Sequence, residues 1–104
     1  MLKVRAKINF IPTSIDKSKP ILTGKYAFRP NHKFDFFNDG FFIGQVMLNR
    51  DDVIYWGDVR VVEVWFIDGF RLLSKQLKVG TKWELKSAKD LIAVGEVLEI
   101  IKEQ

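Results

Sequence analysis

Residues 1–10 read MLKVRAKINF, and this alternating stretch decides the fold class. Every second position from residue 4 onward is apolar, and the positions between them hold Arg5, Lys7 and Asn9. Because successive side chains of a strand point to opposite faces, the apolar set falls on one face of an extended chain. The stretch therefore predicts a β-strand with one buried face and one solvated face.

Further β-favouring stretches follow along the chain. The cluster Asn38-Asp39-Gly40, whose residues tolerate positive φ, separates Phe34–Phe37 from Phe41–Leu48 and predicts a hairpin. The run Val59–Ile67 is partly apolar on both faces, as expected for a strand covered by the rest of a barrel. The polar run Thr13–Pro20 follows Pro12 and predicts a mobile loop.

Two segments allow more than one interpretation. Ser87–Asp90 resembles a helix capping box, and Leu91, Val94, Leu98 and Ile101 follow at helical spacing. Gly95 and the neighbouring β-branched residues favour a strand instead, since an internal glycine weakens a helix. The stretch Phe70–Leu77 is compatible with a short helical turn or with an irregular crossing.

Several short landmarks occur in a fixed order along nearly all 104 residues. They are the opening strand Val4–Phe10, Lys19-Pro20-Ile21, Gly24 before Tyr26, Arg29-Pro30, Phe34-Asp35-Phe36, Phe41–Leu48, Gly57-Asp58, Val62–Ile67, Gly80–Leu85 and Val94–Leu98. This order resembles the third, C-terminal domain of elongation factor Tu and its counterparts. The resemblance implies a closed antiparallel six-stranded β-barrel, with residues 1–104 forming a single stand-alone domain.

The resemblance also bears on the two ambiguous segments. A barrel of this kind needs a final strand to close it, which implies a strand over residues 91–101 and a crossing at residues 70–77. Closure would leave no exposed strand edge for unwanted pairing.

Charge is distributed unevenly along the sequence. Residues 1–34 hold eight Lys or Arg against Asp16, a net charge of +7, and the remainder holds nine basic and twelve acidic residues, a net charge of −3. Such asymmetry is a modest indication of an anionic partner, and Lys side chains that solvate a barrel face are the favoured explanation.

The composition places the chain among soluble globular proteins. Hydrophobic residues make up 47% of the sequence, which is enough to build a core, and cysteine is absent, which excludes disulfides and thiolate chemistry. No apolar run approaches the roughly 20 residues that a membrane-spanning helix needs. The N-terminal stretch lacks the apolar core of a signal peptide, so we expect a cytoplasmic protein without membrane contact.

The side chains that catalysis or metal binding would need are scarce. The sequence holds no G-x-x-x-x-G-K-[ST] loop, so no bound nucleotide is expected. His32 is the single histidine and is expected to be a solvated or hydrogen-bonded loop residue. Asp51 and Asp52 are expected to cap and solvate a turn. The sequence therefore predicts no enzyme, no cofactor and no metal site.

Two binding functions remain. Protein binding is predicted through outward-facing aromatic residues, namely Phe37, Phe41 and Trp65, because alternation cannot bury all the aromatic residues near the hairpin in one core. Homo-oligomerisation is one form of this function.

Binding of tRNA or another structured RNA is the alternative, in a role related to translation. The resemblance implies it, because this barrel in the family contacts the backbone of aminoacyl-tRNA. The candidate residues are Arg29, which matches the family's Arg-Pro pair, with Lys33, Lys86 and Lys89. Lys or Arg on a rigid sheet would contact phosphates without sequence specificity.

Overall fold

The computed structural model of the protein describes residues 1–11, 20–38, 40–68, 71–88 and 90–103, the side chains of 102 and 103 excepted. The elements in chain order are β1 (Leu2–Asn9), β2 (Leu22–Thr23), β3 (Asn31–Lys33), β4 (Phe42–Met47), β5 (Val53–Ile54), β6 (Val59–Phe66), α1 (Leu72–Gln76), β7 (Lys82–Ser87) and β8 (Asp90–Glu103). The mobile loop predicted at Thr13–Pro20 lies, except for Pro20, outside the described residues.

Six of the strands close into a barrel in the order β1-β6-β4-β3-β7-β8, with β8 returning to β1. Every neighbouring pair is antiparallel, and β2 pairs with β5 in a separate two-stranded sheet. The prediction of a closed antiparallel six-stranded β-barrel is therefore confirmed.

Strand β1 is the predicted alternating strand, and it lies between β6 and β8. Its side chains at Leu2, Val4, Ala6 and Ile8 are buried in the barrel, whereas the side chain of Arg5 is exposed on the outside. The local pattern fixes this strand because its apolar and charged positions alternate without interruption.

The prediction of a strand over residues 91–101 is confirmed by β8. The β1–β8 register shifts twice, so that Leu98 and Ile101 are extra residues between successive pairs. An extra residue resets the alternation of a strand, and it produces the three- and four-residue spacing that imitates a helix. Gly95 lies beneath the Trp83 ring, where a Cβ atom would come within 2.7 Å of the indole.

Of the two interpretations of residues 70–77, the short helical turn is correct for residues 72–76, which form helix α1, and the crossing that the resemblance implies is wrong there. Asp68 stabilises this helix, because its carboxylate accepts hydrogen bonds from the Leu73 N–H at 3.0 Å and the Ser74 N–H at 2.8 Å. Burial alone would raise the pKa of Asp68, but these hydrogen bonds outweigh burial and lower it. The described residues include no helix with the length and apolarity that crossing a membrane requires.

The predicted hairpin is present as β3 and β4, but its first strand begins earlier than the sequence indicated. Residues 31–33 form that strand, and Phe34–Phe37 lie in the connection, where the Phe37 N–H donates to the Phe34 carbonyl at 3.2 Å. The Lys33 amine donates to the carbonyls of Phe34 and Phe37 and so supports this turn. Asp39 lies outside the described residues.

His32 occupies the barrel interior on β3, so its expected position in a solvated loop is wrong, whereas its expected hydrogen bonding is confirmed. Its Nε2–H donates to the Gly44 carbonyl at 3.0 Å, and its Nδ1 accepts from the Trp83 indole N–H at 3.0 Å. These two partners require the neutral Nε2–H tautomer. Burial lowers the pKa of His32 to about 4, because the charged form is poorly solvated there.

Candidate functional site

Two neighbouring isoleucines are exposed on the outside of the barrel, one on β4 and one directly after β6. Ile43 is 64% exposed and Ile67 is 58% exposed. The two residues are adjacent, since the Ile67 N–H donates to the Ile43 carbonyl at 2.9 Å. They lie on the outside because their neighbours Gly44 and Phe66 face the core.

An open groove of about 260 Å³ runs over this part of the barrel. We call it the β4–β6 groove, and its lining includes Met1, Arg29, Ile43, Gln45, Trp65 and Ile67. Its lining is mostly apolar, with polar side chains from Arg29 and Gln45.

One row of side chains crosses the strands beside the two isoleucines. Lys3 on β1 pairs with Trp65 on β6, and Trp65 pairs with Gln45 on β4. The bridge between residues 28 and 46 brings Arg29 next to Gln45, and the Arg29 Nε donates to the Gln45 Oε1 at 3.2 Å. The row therefore begins and ends with a cation and has an aromatic ring and an amide between them.

Trp65 is fixed by two contacts. Its indole N–H donates to Glu63 Oε1 at 2.9 Å, and the Lys3 ammonium lies 3.9 Å from its ring centroid. A cation at this distance is attracted by the negative face of the ring. Because both contacts hold the ring on the outer face, Trp65 is already positioned for contact with a partner.

The charged side chains near the groove are two cations, Lys3 and Arg29, and one carboxylate, Glu63. Glu63 lies opposite Arg5 on the neighbouring strand and accepts the hydrogen bond from Trp65, and Arg5 forms an ion pair with Glu99 at 2.7 Å. In the part of the chain that the structure describes, no carboxylate forms an ion pair with Lys3 or Arg29. The contacts that these two cations do make are with the Trp65 ring and the Gln45 amide.

The structure brings together one predicted residue of each kind. Trp65, predicted for protein binding, and Arg29, predicted for RNA binding, both line the groove. Phe41 is exposed two positions before Ile43, and Phe37 packs on Phe42 with ring centroids 5.0 Å apart. Phe37 and Phe41 therefore lie at the β3–β4 connection and do not line the groove.

The other predicted RNA-binding residues lie apart from the groove. Lys33 donates to backbone carbonyls, and Lys86 lies 3.6 Å from Glu84 on the same strand. Lys89 is outside the described residues.

Sequence reasoning missed Lys3, Ile43 and Ile67. Strand alternation could have indicated the two isoleucines. Ile43 and Gln45 are two positions apart, as are Trp65 and Ile67, so each pair points away from the buried positions between them. No sequence pattern indicated that Lys3 and Arg29 lie on the same row, because that row forms only when strands distant in the sequence pair with one another.

The described residues contain no cluster of three or more His, Cys, Asp or Glu side chains that would suit a metal ion. Asp52 accepts a hydrogen bond from the Asn49 N–H at 2.8 Å, as expected for a residue that caps a turn. No protein-family model matches the chain, and no curated protein sequence matches it.

Proposed function

We propose that this chain is a non-enzymatic binding module, similar in design to the C-terminal barrel of elongation factor Tu, that binds a protein through the β4–β6 groove. The observation that carries the proposal is the exposed pair Ile43 and Ile67 beside the positioned ring of Trp65. An exposed apolar cluster flanked by polar groups is typical of a protein-binding surface.

The energetics support a protein partner. Full burial of an isoleucine side chain stabilises by about 1.5–3 kcal/mol, so covering the exposed part of each isoleucine contributes about 1–2 kcal/mol. The groove volume of about 260 Å³ lies just below the usual range for small-molecule pockets, roughly 300–1,000 Å³. An open groove of this size suits one or two anchoring side chains of a partner protein.

A peptide selection tests this function. The domain is immobilised, short random peptides are selected on it by phage display, and the enriched peptides are titrated into isotope-labelled protein. We expect amide NMR shifts that cluster at Ile43, Trp65 and Ile67. We also expect Ile43→Ser to weaken binding by about five- to thirty-fold, as loss of about 1–2 kcal/mol requires.

Val61→Ser is the matched control, because Val61 is 58% exposed on the outer face of β6 but does not line the groove. This variant should bind with unchanged affinity. Selected peptides that bind elsewhere, or equal losses in Val61→Ser and Ile43→Ser, would contradict the proposed function.

The alternative is binding to the backbone of tRNA or another structured RNA, and Arg29 on an exposed face favours it. Such binding would weaken steeply with salt, by about one unit of slope for each phosphate contact. A tRNA titration at low salt distinguishes the two functions. Tight, salt-dependent tRNA binding that is lost in Arg29→Glu would replace the proposal of a protein partner.

A further inference from the structure

We infer that the β4–β6 groove, if it binds protein as proposed above, takes an acidic segment in which one large apolar side chain lies between two carboxylates. The inference rests on the row formed by Lys3, Trp65, Gln45 and Arg29. The row places a cation at each end; Arg29, Gln45 and Trp65 line the groove, and Lys3 lies beyond the lining, over the Trp65 ring.

The spacing of the row follows from the sheet. Lys3, Trp65, Gln45 and Arg29 lie on four neighbouring extended segments, and neighbouring strands lie about 4.8 Å apart. The backbone positions of the two cations are therefore about 14 Å apart. The middle of the row is about 7 Å from each end.

An extended peptide crossing the strands matches this spacing. It rises about 3.3 Å per residue and points every second side chain to the same face, so same-face positions lie about 7 Å apart. Two acidic residues at the first and fifth positions would lie about 13 Å apart, opposite the two cations. An apolar residue at the third position would then face the groove between Trp65 and Ile43. The inferred pattern is acid-x-apolar-x-acid.

Charge complementarity selects this occupant. The chain carries a net charge of +4, and residues 1–34, which contain Lys3 and Arg29, carry +7. The carboxylate of Glu63 is engaged by the Trp65 indole N–H at 2.9 Å, which leaves the two ends of the row to Lys3 and Arg29. Complementary charges at the rim of an apolar patch give specificity and a fast association rate.

A nucleic acid fits the same residues less well. Single-stranded nucleic acids bind to flat aromatic rings on which bases stack, together with a cationic groove along the backbone. Here the lining includes branched and flexible side chains, namely Ile43, Ile67 and Met1, and the Lys3 ammonium lies over the face of Trp65.

Charge reversal of the two cations tests the inference. Peptides are selected separately on the native protein and on Lys3→Glu/Arg29→Glu, and each peptide is measured against both proteins by calorimetry. The native protein should enrich peptides with the acid-x-apolar-x-acid pattern, and the double variant should bind them about ten-fold or more weakly.

The matched control is Arg50→Glu/Lys78→Glu, which changes the net charge equally at two exposed turn positions. It should bind the acidic peptides with the affinity of the native protein at moderate salt. Lys3→Gln/Arg29→Gln provides a second variant if charge reversal impairs folding, and it should reduce affinity by a smaller factor.

The outcomes separate this inference from the proposed function. Peptides that shift Ile43 and Ile67 resonances but carry no acidic residues would overturn the inference and leave protein binding intact. Absence of any peptide that shifts these resonances would overturn both. Equal loss of affinity in the control variant would also overturn the inference, because net charge alone would then explain the binding. We expect an RNA oligonucleotide to leave the acidic peptides bound. Complete displacement of these peptides by RNA would contradict the inference.

Discussion

Acidification from pH 7 to pH 4 is expected to destabilise the barrel through His32. The pKa of this buried histidine is lowered from 6.5 to about 4, and both ring nitrogens are engaged, one as donor to Gly44 and one as acceptor from Trp83. Protonation would add a second N–H to the ring, at Nδ1, which faces the indole N–H of Trp83. The charged form would therefore lose the hydrogen bond from Trp83, and it would also be poorly solvated in the barrel interior.

The sign and size follow from linkage between protonation and folding. The unfolded chain binds a proton at His32 with a pKa near 6.5, and the folded chain does so only near 4. The stability that the neutral histidine contributes is thus fully present above pH 6.5 and is lost as the pH falls toward 4. A shift of this size corresponds to about 3 kcal/mol in full, with about 2 kcal/mol lost by pH 5.

His32→Gln isolates the effect, because the glutamine amide can donate to Gly44 and accept from Trp83 but does not titrate. At pH 7 we expect this variant to cost about 1–2 kcal/mol, from imperfect geometry of the two bonds. Urea denaturation at several pH values between 7 and 4 measures the free energy of unfolding of both proteins. Carboxylates such as Asp68 titrate in both and cancel in the difference.

The native protein and the variant should converge or cross as the pH falls, because only the native protein loses the contribution of His32. If the two free-energy curves stay parallel from pH 7 to pH 4, the assignment of acid sensitivity to His32 is refuted.

Three other substitutions test the packing, each by urea denaturation. Gly24→Ala should destabilise by about 3 kcal/mol or more, since its Cβ would lie 1.6 Å from the backbone oxygen of Asn49; near-native stability would contradict this packing. Gly95→Ala should cost about 1–3 kcal/mol by displacing the Trp83 ring, whereas the control Gly40→Ala, with its nearest neighbour 3.9 Å away, should change stability by less than about 0.5 kcal/mol. Asp68→Ala should cost about 1–2 kcal/mol by removing the acceptor for the first turn of α1, and an unchanged unfolding midpoint would show that this cap contributes nothing.

The sequence predicted the fold where local pattern and tertiary structure agree. Strand β1 follows from alternation alone, because its apolar and polar positions alternate without interruption and its pairing with β6 contains no bulge. Strand β8 needed the resemblance to the elongation-factor barrel, since the extra residues Leu98 and Ile101 displace its alternation. Helix α1 depends on Asp68, a cap placed several residues before the helix, which the periodicity of the helix itself does not indicate.

The position of His32 shows why burial was harder to predict than strand formation. The residue follows Pro30 and Asn31, which locally favour a solvated turn. Its partners, Gly44 and Trp83, lie 12 and 51 positions away in the chain. Gly44 leaves space for the imidazole, because a Cβ atom there would lie 3.1 Å from His32 Nε2. Such a site exists only after three strands have paired.

The residues of the candidate groove also divide into those that a local pattern predicts and those that depend on pairing between distant strands. Trp65 was predicted as an outward residue from its parity on one strand, and the structure places it there. Lys3 and Arg29 are 26 positions apart and meet on one row only through β6 and β4. No single-strand pattern contains that information, so the charge pattern of the groove required the register.

Closure of the barrel explains why a partner would bind side chains and not strand edges. Each barrel strand is paired on both sides, so its backbone N–H and C=O groups are largely satisfied and offer little to an added strand. Specificity must then come from the outward side chains, whose spacing is set by the strand separation across the sheet and by the two-residue repeat along it. These two spacings place Arg29 in the lining of the β4–β6 groove and Lys3 over Trp65 at the other end of the row. A partner that matches the same spacing in its own extended chain would gain both contacts without any change in the barrel backbone.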